Sequence, residues 1–136
     1  MKLFVSVTGH ATLFSQFCRH YLALGVTRIF AGVDQALSAE VTEAAEGLDV
    51  TIVDDLGAAE SIEGGTAAVE RLRARFAGPL EWVMLADLDE FQVYPRGLRA
   101  AIVEAERQGA NVVRGKMIDR VSANGELLEI SRDSDL

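Results

Sequence analysis

The chain has 136 residues, 49% hydrophobic and 25% charged, which suits one domain burying roughly two thirds of its unfolded surface and excludes a disordered chain. Its 21 acidic side chains outnumber 13 basic ones, for a formal net charge of -8. That balance excludes broad nucleic-acid binding, because the field of the whole molecule repels phosphates, and a phosphate ligand needs local help such as a metal.

Lys2 to Thr8 (KLFVSVT) is apolar and β-branched and predicts a buried strand ending at Gly9, where a tight turn becomes possible. Met1 to Thr8 has neither a basic leader nor a small-residue cleavage site, so the expected compartment is cytoplasmic. No apolar run anywhere approaches the roughly 18 residues of a spanning helix, so no integral membrane segment is expected. Leu13, Phe14, Phe17, Tyr21 and Leu24 then recur at helical spacing, with Gly25 placed for a left-handed C-terminal residue. Cys18 falls inside this pattern and is the single cysteine, so it reads as a buried free thiol with no chemical role.

Thr27 to Val33 predicts a second strand, Ser38 a cap for a helix carrying Val41, Ala44 and Ala45, and Gly47 the end of that helix. Val50 to Val53 predicts a third strand. Asp54 to Gly65 is polar and punctuated by glycines, after which Val69, Leu72 and Phe76 mark a third helix closed by Gly78 and Pro79. Trp82 to Ala86 is the most strongly apolar strand candidate and delivers Asp87 to Glu90 at its end. Leu98, Ala101, Ile102 and Ala105 share a fourth helical face that stops at Gly109, before a strand-like segment from Asn111 to Arg114.

Strands alternating with helices imply an α/β fold: a mostly parallel, Rossmann-like sheet with helices on both faces and ligands beyond the carboxyl ends of its strands. Gly9 and His10, Asp34, and Asp87 to Glu90 converge at that end. Two carboxylates separated by one residue, at the end of a buried strand, can approach one hard cation. Magnesium and manganese suit such a site, because they keep several waters and take substrate phosphates as further ligands. Three acids within four residues also repel one another near the dry end of a sheet, which favours a cation over simple capping of the next turn.

WVMLADLDEF, residues 82–91, resembles the Asp-x-Asp-Glu-Phe segment of GT-A-fold glycosyltransferases in the group around family 2 and family 92. The opening GHATLFSQFCRHYLALGVTRIFAGVD is similar to the same group's first helix, with its His-Tyr and Leu-Gly-Val, and its acid-terminated second strand; Gly9-His10 stands where many relatives have Asn-Glu. GKMIDRVSANG, residues 115–125, looks like the group's strand, Asp-Arg pair and turn beyond the metal motif.

The resemblance implies a single nucleotide-sugar-binding domain over residues 1–136, with Mn2+ or Mg2+ as cofactor and a nucleotide-diphosphate sugar as partner. It implies transfer of the sugar to the hydroxyl of an unidentified acceptor. By that likeness Asp89 binds the metal, Asp87 contacts metal or ribose, Asp34 hydrogen-bonds the nucleobase, and Gly9 and His10 border the nucleotide. Glu90 has two readings, orienting a ligand or pointing into solvent. His10 reads as a phosphate donor or, more ordinarily, a local hydrogen-bonding residue, and His20 as a packed or capping imidazole. Arg71, Arg73 and Arg75 read as a solvated surface. Asp119 and Arg120 match a pair near the family's cleft, or form a simple ion pair.

Enzymes of that fold carry more chain after the metal motif, so the sequence is expected to be a fragment, a minimal variant or a remnant that binds without transferring sugar. Glu126, Glu129 and Asp133 are available bases, with nothing to select one. Two other classes stand beside the transferase: a non-catalytic interaction domain of the same fold, and a magnesium-dependent phosphatase with Asp87 as nucleophile. The late motif and the absence of a following Gly-Thr weigh against the phosphatase.

Overall fold

The computed structural model describes residues 1–54 and 62–116. Four strands, β1 (Lys2–Val7), β2 (Arg28–Val33), β3 (Val50–Asp54) and β4 (Val83–Leu85), form one sheet in the order β3-β2-β1-β4. Every pairing is parallel. Four helices connect or follow them: α1 (Phe14–Ala23), α2 (Ser38–Ala44), α3 (Ile62–Phe76) and α4 (Leu98–Arg107). The fold is α/β and Rossmann-like, and among the described residues no helix is long and apolar enough to cross a membrane.

Period-two alternation sorts the strand side chains onto two covered faces. Leu3, Val5, Val7, Ile29, Ala31 and Val33 point to one side, where Phe14, Phe17, Cys18 and Tyr21 of α1, Val41 of α2 and Leu98 of α4 meet them. Phe4 and Phe30 point to the other, under Leu72 of α3. Phe30 stacks there on both Phe4 and Phe76, at centroid distances of 5.4 Å and 4.5 Å. Burial pushes the Cys18 thiol up to about 12, so it stays protonated and inert, in keeping with a packing role.

Glycines close two helices by geometry that other residues resist. After α1, Gly25 takes φ 102, Gly25 N donates to Leu22 O at 3.0 Å and Val26 N to Tyr21 O at 3.1 Å. After α4, Gly109 takes φ 68 with the matching pair, Gly109 N to Glu106 O and Ala110 N to Ala105 O. These are paired reverse bonds of a left-handed C-terminal cap. Gly25→Ala is expected to cost about 1–2 kcal/mol in urea denaturation, the strain of a Cβ in left-handed backbone; a change below about 0.3 kcal/mol contradicts the cap.

Lys2 ties the start of β1 to the far end of α3. Its Nζ donates to the Phe76 carbonyl and to Glu81 Oε2, each at 2.8 Å. The Lys2 ammonium and the Gly78 amide hold the Glu81 carboxyl below its ordinary value of 4.5. A lowered folded value means the contribution is present above pH 4.5 and is lost as pH falls through the folded value. Glu81→Gln is therefore expected to flatten the fall in melting temperature below pH 4.5, modestly and less so at high salt, since the pair is solvent-accessible. An unchanged acid profile contradicts the linkage.

Several boundaries differ from the sequence expectation. Ser38 is the first residue of α2 rather than its cap, and its hydroxyl donates to Asp54 Oδ1 at 2.7 Å. Asp34 caps a preceding 3-10 turn, Gln35–Leu37, by accepting from Ala36 N at 2.8 Å. α3 starts at Ile62, so Gly64 and Gly65 lie inside a helix instead of a loop. The strand expected over Asn111 to Arg114 is unpaired and exposed, because no described strand lies beside it to accept its backbone bonds. Residues 55–61 and the tail from 117, which holds Asp119, Arg120, Glu126, Glu129 and Asp133, lie outside the described residues.

Candidate functional site

Topology puts the site between β1 and β4. The connections β1 to β2 and β2 to β3 move the chain one way across the sheet on the α1 and α2 face. β3 to β4 then returns past both through α3 on the opposite face. Parallel crossovers keep one hand, so reversing direction forces the change of face and opens a crevice where the two halves diverge. A cleft of about 680 Å³ lies at that point, within the range of small-molecule sites.

Its walls come from three segments: Ser6 and Thr8 to His10 at the end of β1, Leu85 to Asp89 at the end of β4, and Gly65, Thr66, Val69 and Glu70 of α3. Gly9, His10, Asp87 and Asp89 are thus brought together. Asp34 and Glu90 are not among the lining residues. Asp34 spends one carboxylate oxygen on its own turn, one strand further along the sheet. Glu90 folds back so that Oε2 accepts from Asp87 N at 3.4 Å, which orients the turn rather than pointing into the cleft.

The acidic turn is built by burying its middle. Leu88 is 8% exposed and belongs to the α1-side core, while Asp87 and Asp89 on either side of it are exposed. Glu90 N donates to Asp87 O at 3.0 Å and closes the turn. Neither carboxylate forms a salt bridge among the described residues, although Glu70 on the facing wall is paired with Arg73 at 2.8 Å. Among those residues no third His, Cys, Asp or Glu joins them as a metal-holding group. Among the described residues the donors at the cleft are therefore two hard carboxylates with no salt-bridge partner, a set that suits magnesium or manganese completed by phosphate and water better than a closed structural metal cage.

The turn at the end of β1 has a different author from the one expected. Gly9 has ordinary backbone, and His10 takes the left-handed conformation, φ 52 and ψ 38. His10 O accepts from Leu13 N at 2.9 Å and so starts the 3-10 turn Ala11–Leu13 that leads into α1. Its imidazole makes no cap hydrogen bond and stays exposed at the cleft. A Cβ on Gly9 would meet nothing within 4 Å, so the protein's own packing does not require glycine there and the space belongs to the cleft.

Ser6, Thr8 and the α3 wall were not singled out from sequence. Ser6 and Thr8 alternate with core residues on the Phe4 side of β1, and polar residues at that period were the available signal. Arg73 and Arg75 are solvent-facing, the first paired with Glu70 and the second lying 4.9 Å over the Phe76 ring. His20 is packed, edge-on to Tyr21 and Phe91.

No protein-family model matches the chain, and no curated protein matches it.

Proposed function

We propose that this chain binds a nucleotide-diphosphate sugar through a divalent cation, Mn2+ or Mg2+, and is a GT-A-type glycosyltransferase or the donor-binding part of one. The observation that carries the reading is the carboxylate pair Asp87 and Asp89, unpaired among the described residues, flanking a buried Leu88 and opening on the cleft between β1 and β4. A surface pair of acids that meets no basic partner among the described residues, in a protein of net charge -8, is costly by self-repulsion, and a cation with a diphosphate relieves it. The resemblance of residues 82–91 to the Asp-x-Asp-Glu-Phe segment supports the same assignment.

In this reading Asp89 and Asp87 hold the cation, which when bound neutralises charge developing on the leaving diphosphate. Gly9 leaves room for the nucleotide to lie against the end of β1, and His10 presents a ring nitrogen to a phosphate or sugar hydroxyl. Glu90 fixes the backbone of Asp87. Asp34 stands one strand away with one carboxylate oxygen committed to its turn, and its second oxygen is the one that would meet a nucleobase.

Calorimetric titration of the chain with uridine and guanosine diphosphates, with and without manganese, tests the proposal. Binding that requires the metal is the expected result. Absence of binding under every condition sinks it and leaves a non-catalytic interaction domain as the better account, and hydrolysis of an aryl phosphate lost in Asp87→Asn turns it towards the phosphatase.

A further inference from the structure

The segment after the acidic turn is clasped by α1 through Tyr21 and His20. The Tyr21 hydroxyl, on a fully buried side chain, donates to Glu90 O at 2.8 Å and accepts from Gln92 N at 3.2 Å. One oxygen thus grips the chain on both sides of Phe91. The Phe91 ring sits edge-on to Phe17 at 6.3 Å and to His20 at 5.3 Å. His20 Nε2 lies 2.9 Å from Gln92 O, a carbonyl that can only accept, so this nitrogen carries the proton. Gln92 then reaches back: its Nε2 donates to Leu85 O at 3.2 Å, and its Oε1 accepts from Tyr94 at 2.7 Å.

The loop from Leu85 to Gln92 is therefore tied at both feet, one foot to the end of β4 and the other to α1. We infer that Tyr21 and His20 are positioning residues that set Asp87 and Asp89 in their cation-binding arrangement from the opposite side of the turn. This rests on the proposed metal-dependent reading of the cleft. Burial pushes the Tyr21 phenol up to about 12, so the hydroxyl remains neutral and able both to donate and to accept across the physiological range. A turn held only by its own Asp87–Glu90 bond would sample many arrangements, and ordering it would be charged against every ion bound.

Manganese alone is the probe, followed by electron paramagnetic resonance of the free ion at 25 °C with the natural chain, Tyr21→Phe and His20→Phe. Both variants keep the ring packing and remove only the polar grip. About tenfold weaker manganese binding in Tyr21→Phe, and a smaller loss in His20→Phe, is the expected result, the low end of what outer partners of metal ligands contribute. Val41→Ala removes core volume in α2 and is expected to lower the melting temperature without changing the manganese affinity. Unchanged affinity in Tyr21→Phe, or losses no larger than in Val41→Ala, overturns the inference; if Tyr21→Phe does not fold, unchanged affinity in His20→Phe overturns it. No binding by the natural chain is a failure of the metal reading itself, read before any variant is made.

Discussion

Asp89→Ala is expected to weaken manganese-dependent nucleotide binding at least ~100-fold, or about 2.8 kcal/mol at 1.4 kcal/mol per tenfold. Among the described residues Asp89 is one of two carboxylates at the cleft without a salt bridge, and no third acid is grouped to take its place. The same substitution is expected to leave stability within about 0.5 kcal/mol, because the side chain is exposed and carries no salt bridge among the described residues. Calorimetry and urea denaturation on one preparation separate the two effects. Binding within threefold of the natural chain would remove Asp89 from the site, and a large loss of stability would make it a structural acid.

Phe17→Ala has the largest expected effect on stability, about 3–5 kcal/mol, the usual cost of emptying a buried aromatic site. Phe17 is fully buried, tilts against Tyr21 at 4.7 Å and meets Phe91 edge-on. Against a total stability of roughly 5–15 kcal/mol, this variant approaches global unfolding. Its melting temperature is expected to fall on the order of 10–20 °C. Because Phe17 supports Phe91 just beyond the acidic turn, any folded fraction should also bind manganese less well. A loss below about 1 kcal/mol contradicts the described core.

Much of the fold was legible because helices and strands announce themselves by local period. Phe14, Phe17 and Tyr21 at spacings of three and four, closed by Gly25, predict α1 and its buried face. Glycine signals were less reliable guides. Gly9 drew the expected turn to itself, whereas His10 takes the left-handed backbone, and Gly64-Gly65 read as a break where α3 continues through them. Val112 and Val113 carry strand propensity, yet a strand exists only where a neighbour pairs with it, and they remain 59% and 45% exposed.

The site was legible in part for a related reason. Asp87 and Asp89 could be picked out because the apolar run before them and the two-residue period are local. The grip of Tyr21 on Glu90 and Gln92 joins residues 69 and 71 positions apart, and no spacing within one element encodes it. The α3 wall is equally remote: Thr66 and Val69 enter the cleft only because the return crossover runs over β1. Asp34 shows the converse. Its place after β2 suggested a ligand contact, and the local turn claims one of its oxygens.

The most direct measurement is an amide correlation spectrum of the isotopically labelled chain with uridine diphosphate and a substoichiometric amount of manganese. The ion broadens signals near it, so it reports position as well as binding. Selective loss of the Gly9, His10, Asp87, Leu88 and Asp89 signals, with Arg28 and Val50 at the opposite end of the sheet unaffected, is the predicted result. Broadening centred elsewhere, or none at any manganese concentration, would contradict a cation-assisted nucleotide site between β1 and β4.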